Sequence, residues 1–390
     1  MANNIEWIDN ETIYQILIDR FNGEWKSNKN TNDFMGGNIN GILEKLDYIQ
    51  DLGITTIWLS PISCSVNYHG YHITDFMNVD PHFGTMNDFC KLVNEVHKRN
   101  MKIIIDFVPN HCSIEHPFFK EAYSNINSKY RKWFYFKKNK YISFLQYKEL
   151  AKINLDNNEA ADYIINVARY YCKIGVDGLR IDHAVGPSFK FWEKAMRSLK
   201  QEFPNKIFFG EIWSHGIKRK YYYTLHFKSL YKKIKYYLFS IKQESWQRDY
   251  IGVLDGVLDF EYRNILLNEI KKGKRIINNK DLELNVIKHF KKYPQDFKLI
   301  LFLDNHDTDR FLFSCNKDIS LLKEAIIFSQ KWHKAFIIYY GTEQGMCNEE
   351  TIFNGKPYAD LNVRECMDWN IDKKNTLYYS IKQWLKDSKR

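Results

Sequence analysis

The chain has 390 residues, 44% of them apolar and 16% aromatic, enough to bury one large barrel with insertions or about two or three smaller domains. Its net charge of +10 is carried mostly by Lys and is densest at residues 218–235, interleaved with Tyr. That stretch reads as a solvated helical face with Tyr packed beneath it, which argues against a nucleic-acid partner. No apolar run approaches a membrane span, and residues 1–7 lack the basic and apolar regions of a secretory leader. Seven Cys, an odd number with no CxxC or Cys/His spacing, exclude a disulfide framework and a zinc site, and point to reduced thiols in the cytoplasm.

In chain order, 13–18 reads as a first strand, 39–52 as an amphipathic helix stopped by Gly53, and 54–59 as a second strand. A helix at 86–99, capped by Thr85, leads to a third strand at 102–107. Residues 159–174 form a helix ending at Gly175, followed by strands at 176–181 and 206–209. Further strands are expected at 252–260, 299–303 and 335–340, with a helix at 321–330 before the last and an amphipathic helix at 373–390. Strand and helix alternate throughout, which predicts an α/β fold, a closed (β/α)8 TIM barrel with a short insertion after the third strand. An open doubly wound sheet competes less well, because no Gly-rich phosphate loop follows the first strand. The expected organisation is a first barrel part at 1–111, the insertion at 112–157, and a second barrel part at 158–390. A second long connection, basic and helix-rich, is expected at 215–250.

Four of these strands end in charged residues. They read Ile105-Asp106-Phe107-Val108-Pro109-Asn110-His111, Gly178-Leu179-Arg180-Ile181-Asp182-His183, Phe209-Gly210-Glu211-Ile212-Trp213 and Leu303-Asp304-Asn305-His306-Asp307. The carboxyl end of a barrel strand is where chemistry is placed, and core packing does not account for such a set. Three carboxylates suffice for retaining glycoside hydrolysis: a nucleophile, an acid/base and a group that stabilises positive charge or grips hydroxyls. Arg180 lies on the same strand face as Asp182 and is expected to lower its pKa. Glu211 sits among apolar neighbours that would raise its own. Taken singly, Asp106 could be a structural partner of Arg180, and His111, His306 and Tyr71 could be core residues.

In this order the segments resemble the conserved regions of the α-amylase superfamily, glycoside hydrolase family 13. Tyr14 to Phe21, Phe83-Gly84-Thr85, Ile338-Tyr339-Tyr340-Gly341 and Met367-Asp368-Trp369 fit the same pattern. The resemblance implies that Asp182 is the nucleophile, Glu211 the acid/base and Asp307 the third carboxylate. It implies that Arg180 positions Asp182, that Asp106, His111 and His306 support the first sugar subsite, and that Tyr71 stacks on that sugar. The implied activity is hydrolysis of α-1,4 links in glucans or maltooligosaccharides. A glucanotransferase, an α-1,6 hydrolase and a non-catalytic homologue are the alternatives.

Three departures from the family accompany these matches. The chain ends after its final helix, so the β-sandwich that many members carry is expected to be absent, and a homo-oligomer contact is one way to cover that helix. The Lys-His pair past the nucleophile is replaced by His183-Ala184-Val185-Gly186-Pro187. Asn110 matches one calcium-ligand position but lacks obvious partners, so no cofactor is expected to be required, with calcium at Asn110 an open alternative. His72 replaces the usual Asp or Trp after Tyr71 and would add a polar contact near the first subsite.

Overall fold

A computed structural model describes residues 5–26, 31–138, 140–213, 217–369 and 376–387. Eight parallel strands close into a barrel. They are β1 (Thr12–Ile16), β2 (Thr56–Leu59), β3 (Lys102–Phe107), β4 (Gly178–Ile181), β5 (Ile207–Gly210), β6 (Gly256–Leu258), β7 (Lys298–Phe302) and β8 (Phe336–Tyr339). Each pairs with its sequence neighbours, and β1 closes on β8 through pairs such as Ile13 with Ile337. Helices pack outside. Met86–Lys98 begins with a reciprocal Thr85–Asp88 capping box, and Asn157 and Ser188 cap Asn158–Ile174 and Phe189–Glu202.

The barrel interior is filled by Ile13, Trp58, Ile104, Ile207, Phe209, Ile300, Phe302 and Ile337, which form a core separate from the larger one between strands and helices. A strand turns every second side chain to the same face. Gln15, Asp106 and Glu211 therefore stand on the inner face, two residues beyond Ile13, Ile104 and Phe209. At the foot of β4 the inward position is Gly178, where a Cβ would collide with Ile207 of β5. The strands close tightly there, and the next inward residues on β4 are Arg180 and then Asp182.

Several expected elements differ in detail. The helix expected at 39–52 is two, Ile39–Glu44 and Leu46–Leu52, because Lys45 leaves the helical region at φ −104° and ψ 5°. The sixth strand is only Gly256–Leu258, since Asp259 caps the helix Phe260–Lys271. In the basic stretch Tyr222 and Tyr236 are buried, whereas Tyr223 and Tyr231 are exposed, so Tyr covers both faces of that connection. The final helix is described over Thr376–Asp387; the rest of the span expected at 373–390, and residues 1–4 of the expected non-leader start, lie outside the described residues. Ile381 and Leu385 of that helix are buried, and Tyr378 stacks on Tyr48 with centroids 5.1 Å apart.

The insertion carries a three-stranded sheet formed by His111–Ser113, Ser143–Phe144 and Tyr147–Lys152, and a helix Pro117–Ser124. The first of these strands straddles residues 111 and 112 and runs directly on from the barrel rim. No helix among the described residues is long and apolar enough to cross a membrane.

Candidate active site

The site is organised by one guanidinium. Arg180 is fully buried, with Trp58 below it, its Cζ 5.4 Å from the ring centroid. Nη1 donates to Asp106 Oδ1 at 2.6 Å and to Asp182 Oδ1 at 3.1 Å, and Nη2 lies 3.1 Å from Glu211 Oε2. The β3–β4 register sets Arg180 directly beside Asp106. A buried charge needs such pairing to be tolerated at all. His183 has a left-handed φ of 41°, and its backbone N–H donates to Glu211 Oε2 at 3.0 Å. A non-glycine residue held in that region immediately after Asp182 is local strain at the rim, kept in place by this bond.

Across the barrel, the Tyr71 hydroxyl donates to Asp106 Oδ2 at 2.8 Å and lies 2.7 Å from His306 Nε2. The two rings stack, with centroids 5.4 Å apart and planes 10° from parallel. His306 Nδ1 faces Gln15 Nε2 at 2.7 Å, and His306 Nε2 is 2.9 Å from Asp307 Oδ2. Arg364 clamps the other side, donating from Nη2 to Asp307 Oδ1 and from Nε to the His306 carbonyl, both at 2.9 Å. Asp106, Arg180, Asp182, Glu211, Tyr71, His306 and Asp307 thus form one connected cluster. His111 is placed at its edge: it is buried and stacks on Phe144 at 4.3 Å. His72 instead meets Asn67, at 3.0 Å.

Burial raises the pKa of Asp182 well above the usual carboxylate range; Arg180 opposes this, but the charges of Glu211, Asp106 and Asp307 add to it. This corrects the expectation that Arg180 leaves Asp182 lowered. The guanidinium does pull in that direction, but it is shared among several acids in a desolvated pocket. Burial also raises Glu211, with Arg180 and the His183 N–H opposing and Asp307 adding. Asp307 goes the other way: burial pushes it up, but His306 and Arg364 outweigh that and hold it well below the usual range. Burial pulls His111 down to about 3, so its ring is neutral.

Two further residues hold the cluster, Gln15, which the sequence marks, and Arg364, which it does not. Gln15 is an uncharged polar residue that follows the apolar Ile13 on the inward face of β1, a position with no packing reason. Arg364 lies in irregular chain three residues before Met367-Asp368-Trp369, where no periodicity could single it out.

Asn110 does not fit a calcium ligand set. Its Oδ1 accepts from the buried Lys152 Nζ at 2.7 Å, and the same amine donates to the Gly186 carbonyl at 2.7 Å. Burial pulls Lys152 down to about 7, with Asp156 opposing. No group of three or more His, Cys, Asp or Glu able to hold a metal occurs among the described residues.

A cleft of about 1280 Å³ is lined among others by Trp213, Phe260, Asp309, Phe313 and Phe353; none of the clustered acids lines it, and it adjoins them along the chain only. Trp213 follows Glu211 by two residues, and Thr308, also in the lining, follows Asp307.

A closed parallel barrel with acids gathered at the carboxyl ends of its strands defines a (β/α)8 protein whose site lies on the strand-end face. The sequence signature described as "Alpha amylase, catalytic domain" matches residues 15–390, and the chain belongs to that family. It is 39% identical over 373 residues to Alpha-amylase 2 of Dictyoglomus thermophilum, covering 95% of this chain and 61% of that protein. It is 28% identical over 400 residues to a cyclomaltodextrinase of Thermoanaerobacter pseudethanolicus, covering 96% of this chain and 63% of that one. Among solved structures, the α-amylase of Geobacillus thermoleovorans complexed with acarbose superposes with a TM-score of 0.74 at 30% identity, over 97% of this chain and 77% of that one. The chain therefore spans less than two thirds of the length of the two sequence relatives.

Proposed function

We infer that the chain is a retaining glycosidase that hydrolyses α-1,4 links in glucans or maltooligosaccharides. The observation that carries this reading is the single Arg180 guanidinium touching Asp182 and Glu211 together. A retaining pair stands about 5–5.5 Å apart, and one guanidinium fork reaching both carboxylates is short enough to hold such a separation. Asp182 attacks the anomeric carbon as the glycosidic bond breaks, and Glu211 gives its proton to the departing oxygen. Glu211, now a carboxylate, takes a proton from water; the resulting hydroxide displaces Asp182 and frees the sugar with its configuration retained. The lowered Asp307 stays ionised and is suited to gripping sugar hydroxyls and steadying positive charge at the ring. Asp106, held by Arg180 and Tyr71, supports the first subsite; His306 and the neutral His111 meet hydroxyls there, and Tyr71 offers its ring. The cleft beyond Trp213 would seat the leaving part of the glucan. The seven unpaired cysteines favour a cytoplasmic setting.

Mass spectrometry of maltoheptaose digests tests this reading. Only shorter sugars are expected. Products longer than the substrate would put a sugar in place of water as acceptor, and an unchanged substrate would overturn the reading.

Glu211→Gln removes the proton donor. The loss should be largest on maltoheptaose, about 10²–10⁴-fold, and smallest on an activated aryl maltoside, whose leaving group needs no proton for the first step. The acid form of Glu211 is the active one and its pKa is raised, so activity should persist above the ordinary carboxyl range and fall as pH rises through the raised value. Equal losses on both substrates, or the same alkaline limb in the variant, would remove Glu211 from the acid role.

A further inference from the structure

Lys152 ends the strand Tyr147–Lys152 in the insertion, opposite His111 of the strand that leaves the barrel rim. Its side chain is buried and runs back to the rim, where Nζ reaches Asn110 Oδ1 and the Gly186 carbonyl, both at 2.7 Å. Gly186 lies four residues past Asp182. Its carbonyl is also 2.7 Å from His226 Nδ1, which comes from the long connection after β5. Three segments that share no strand ladder with one another therefore converge here: the insertion, the loop behind β4 and the connection behind β5. A Cβ at position 186 would collide with Asn110 Oδ1, so the two acceptors can approach one amine only because 186 is glycine.

A calcium ion requires six to eight oxygens at about 2.3–2.6 Å. At this point the Asn110 oxygen already faces a nitrogen, and that nitrogen fills the space between the side-chain and main-chain acceptors. We propose that Lys152 does the work a bound metal would do here: its amine clamps the insertion to the loop behind Asp182, and the enzyme has no calcium requirement. Lys152 is a positioning residue, since it touches neither Asp182 nor Glu211. The path from the clamp to the carboxylates is short. Ala184, between Asp182 and Gly186, donates its N–H to the Glu211 carbonyl at 3.1 Å, and Asp182 donates its own to the Phe107 carbonyl at 2.9 Å. A shift at Gly186 is thus felt by both strand ends.

Thermal unfolding of the whole chain in EDTA and in millimolar calcium chloride tests the metal side of this proposal. The two melting temperatures should agree within about 1 °C, since a ligand that does not bind the native state does not stabilise it. This readout does not depend on the reaction inferred above, so the clamp and the activity can fail separately. Lys152→Met tests the clamp, because it keeps the bulk and leaves two buried acceptors without their donor. Its melting temperature should fall by about 5 °C. Its kcat on maltoheptaose should fall about tenfold with KM within about twofold, because the reacting carboxylates move while the sugar contacts at Tyr71 and His306 stay. Should Lys152→Met fail to fold, Lys152→Gln, which keeps a shorter donor, carries the kcat comparison. EDTA-induced loss of wild-type stability that calcium restores would overturn the proposal. So would a foldable Lys152 variant that matches the wild type in both melting temperature and kcat.

Discussion

Asp182→Asn should turn over maltoheptaose on the order of 10⁴-fold more slowly, or worse, yet unfold at the same or a higher temperature than the wild type. An amide cannot form the glycosyl ester, so the first half-reaction has no substitute route. The stability effect runs the other way because burial and the charges of Glu211, Asp106 and Asp307 act against an ionised Asp182. Replacing it by a neutral isostere removes that repulsion and leaves Arg180 its pairs with Asp106 and Glu211. Gain of stability with loss of activity is the pattern expected where a site keeps strained charge for chemistry. Paired kinetic and thermal-melt measurements check both signs; near-wild-type turnover would take Asp182 out of the nucleophile role.

Arg180→Leu should be the most damaging single change for the fold. It removes the one cation shared by Asp106, Asp182 and Glu211 and leaves these acids facing one another in a desolvated barrel. Deleting one partner of a buried ion pair costs about 3–5 kcal/mol, which for a chain of 390 residues corresponds to a melting temperature lower by about 4–6 °C. Arg180→Lys keeps the charge but not the fork, so it should fold and report on catalysis instead. Arg180 opposes the rise in the Asp182 pKa, so weakening its grip lets that value rise further. With Asp182 as the proposed nucleophile, the reactive state carries Asp182 ionised and the proton of the coupled acids on Glu211. Activity is therefore lost as pH falls through its pKa, and in Arg180→Lys the acid limb of kcat/KM should move to higher pH. An unmoved limb would mean that Arg180 does not hold Asp182.

The features most legible in the sequence were those governed by the two-residue strand period. The apolar runs at 103–105, 207–209 and 299–302 lie in strands, with Leu303 just past the last of them, and the inward parity that fills the barrel with Ile104 and Phe209 also carries Asp106 and Glu211 to its rim. The break at Lys45 was hidden because the apolar face of 39–52 continues across it. The sixth strand is shorter than its apolar pattern at both ends, because Gly252 at φ 76° begins a turn before it and Asp259 caps a helix after it. The raised pKa of Asp182 depends on acids from three other strand ends, and local sequence shows only its neighbour Arg180. Lys152 and Arg364 escaped for a related reason. Each is a long cationic side chain whose targets, at 110 and 186 for the first and at 306 and 307 for the second, lie far away along the chain. Nothing at their own positions distinguishes them from the many solvated Lys and Arg of this basic protein.

Covalent trapping tests the central claim most directly. Glu211→Gln incubated with α-maltosyl fluoride should accumulate a glycosyl-enzyme, because fluoride leaves without a proton while the water that would release the sugar has lost its base. Intact-mass analysis should show the protein heavier by one maltosyl unit, and peptide mapping should put the ester on Asp182. A label on another residue, or complete turnover with no adduct and an inverted product, would contradict retention through Asp182.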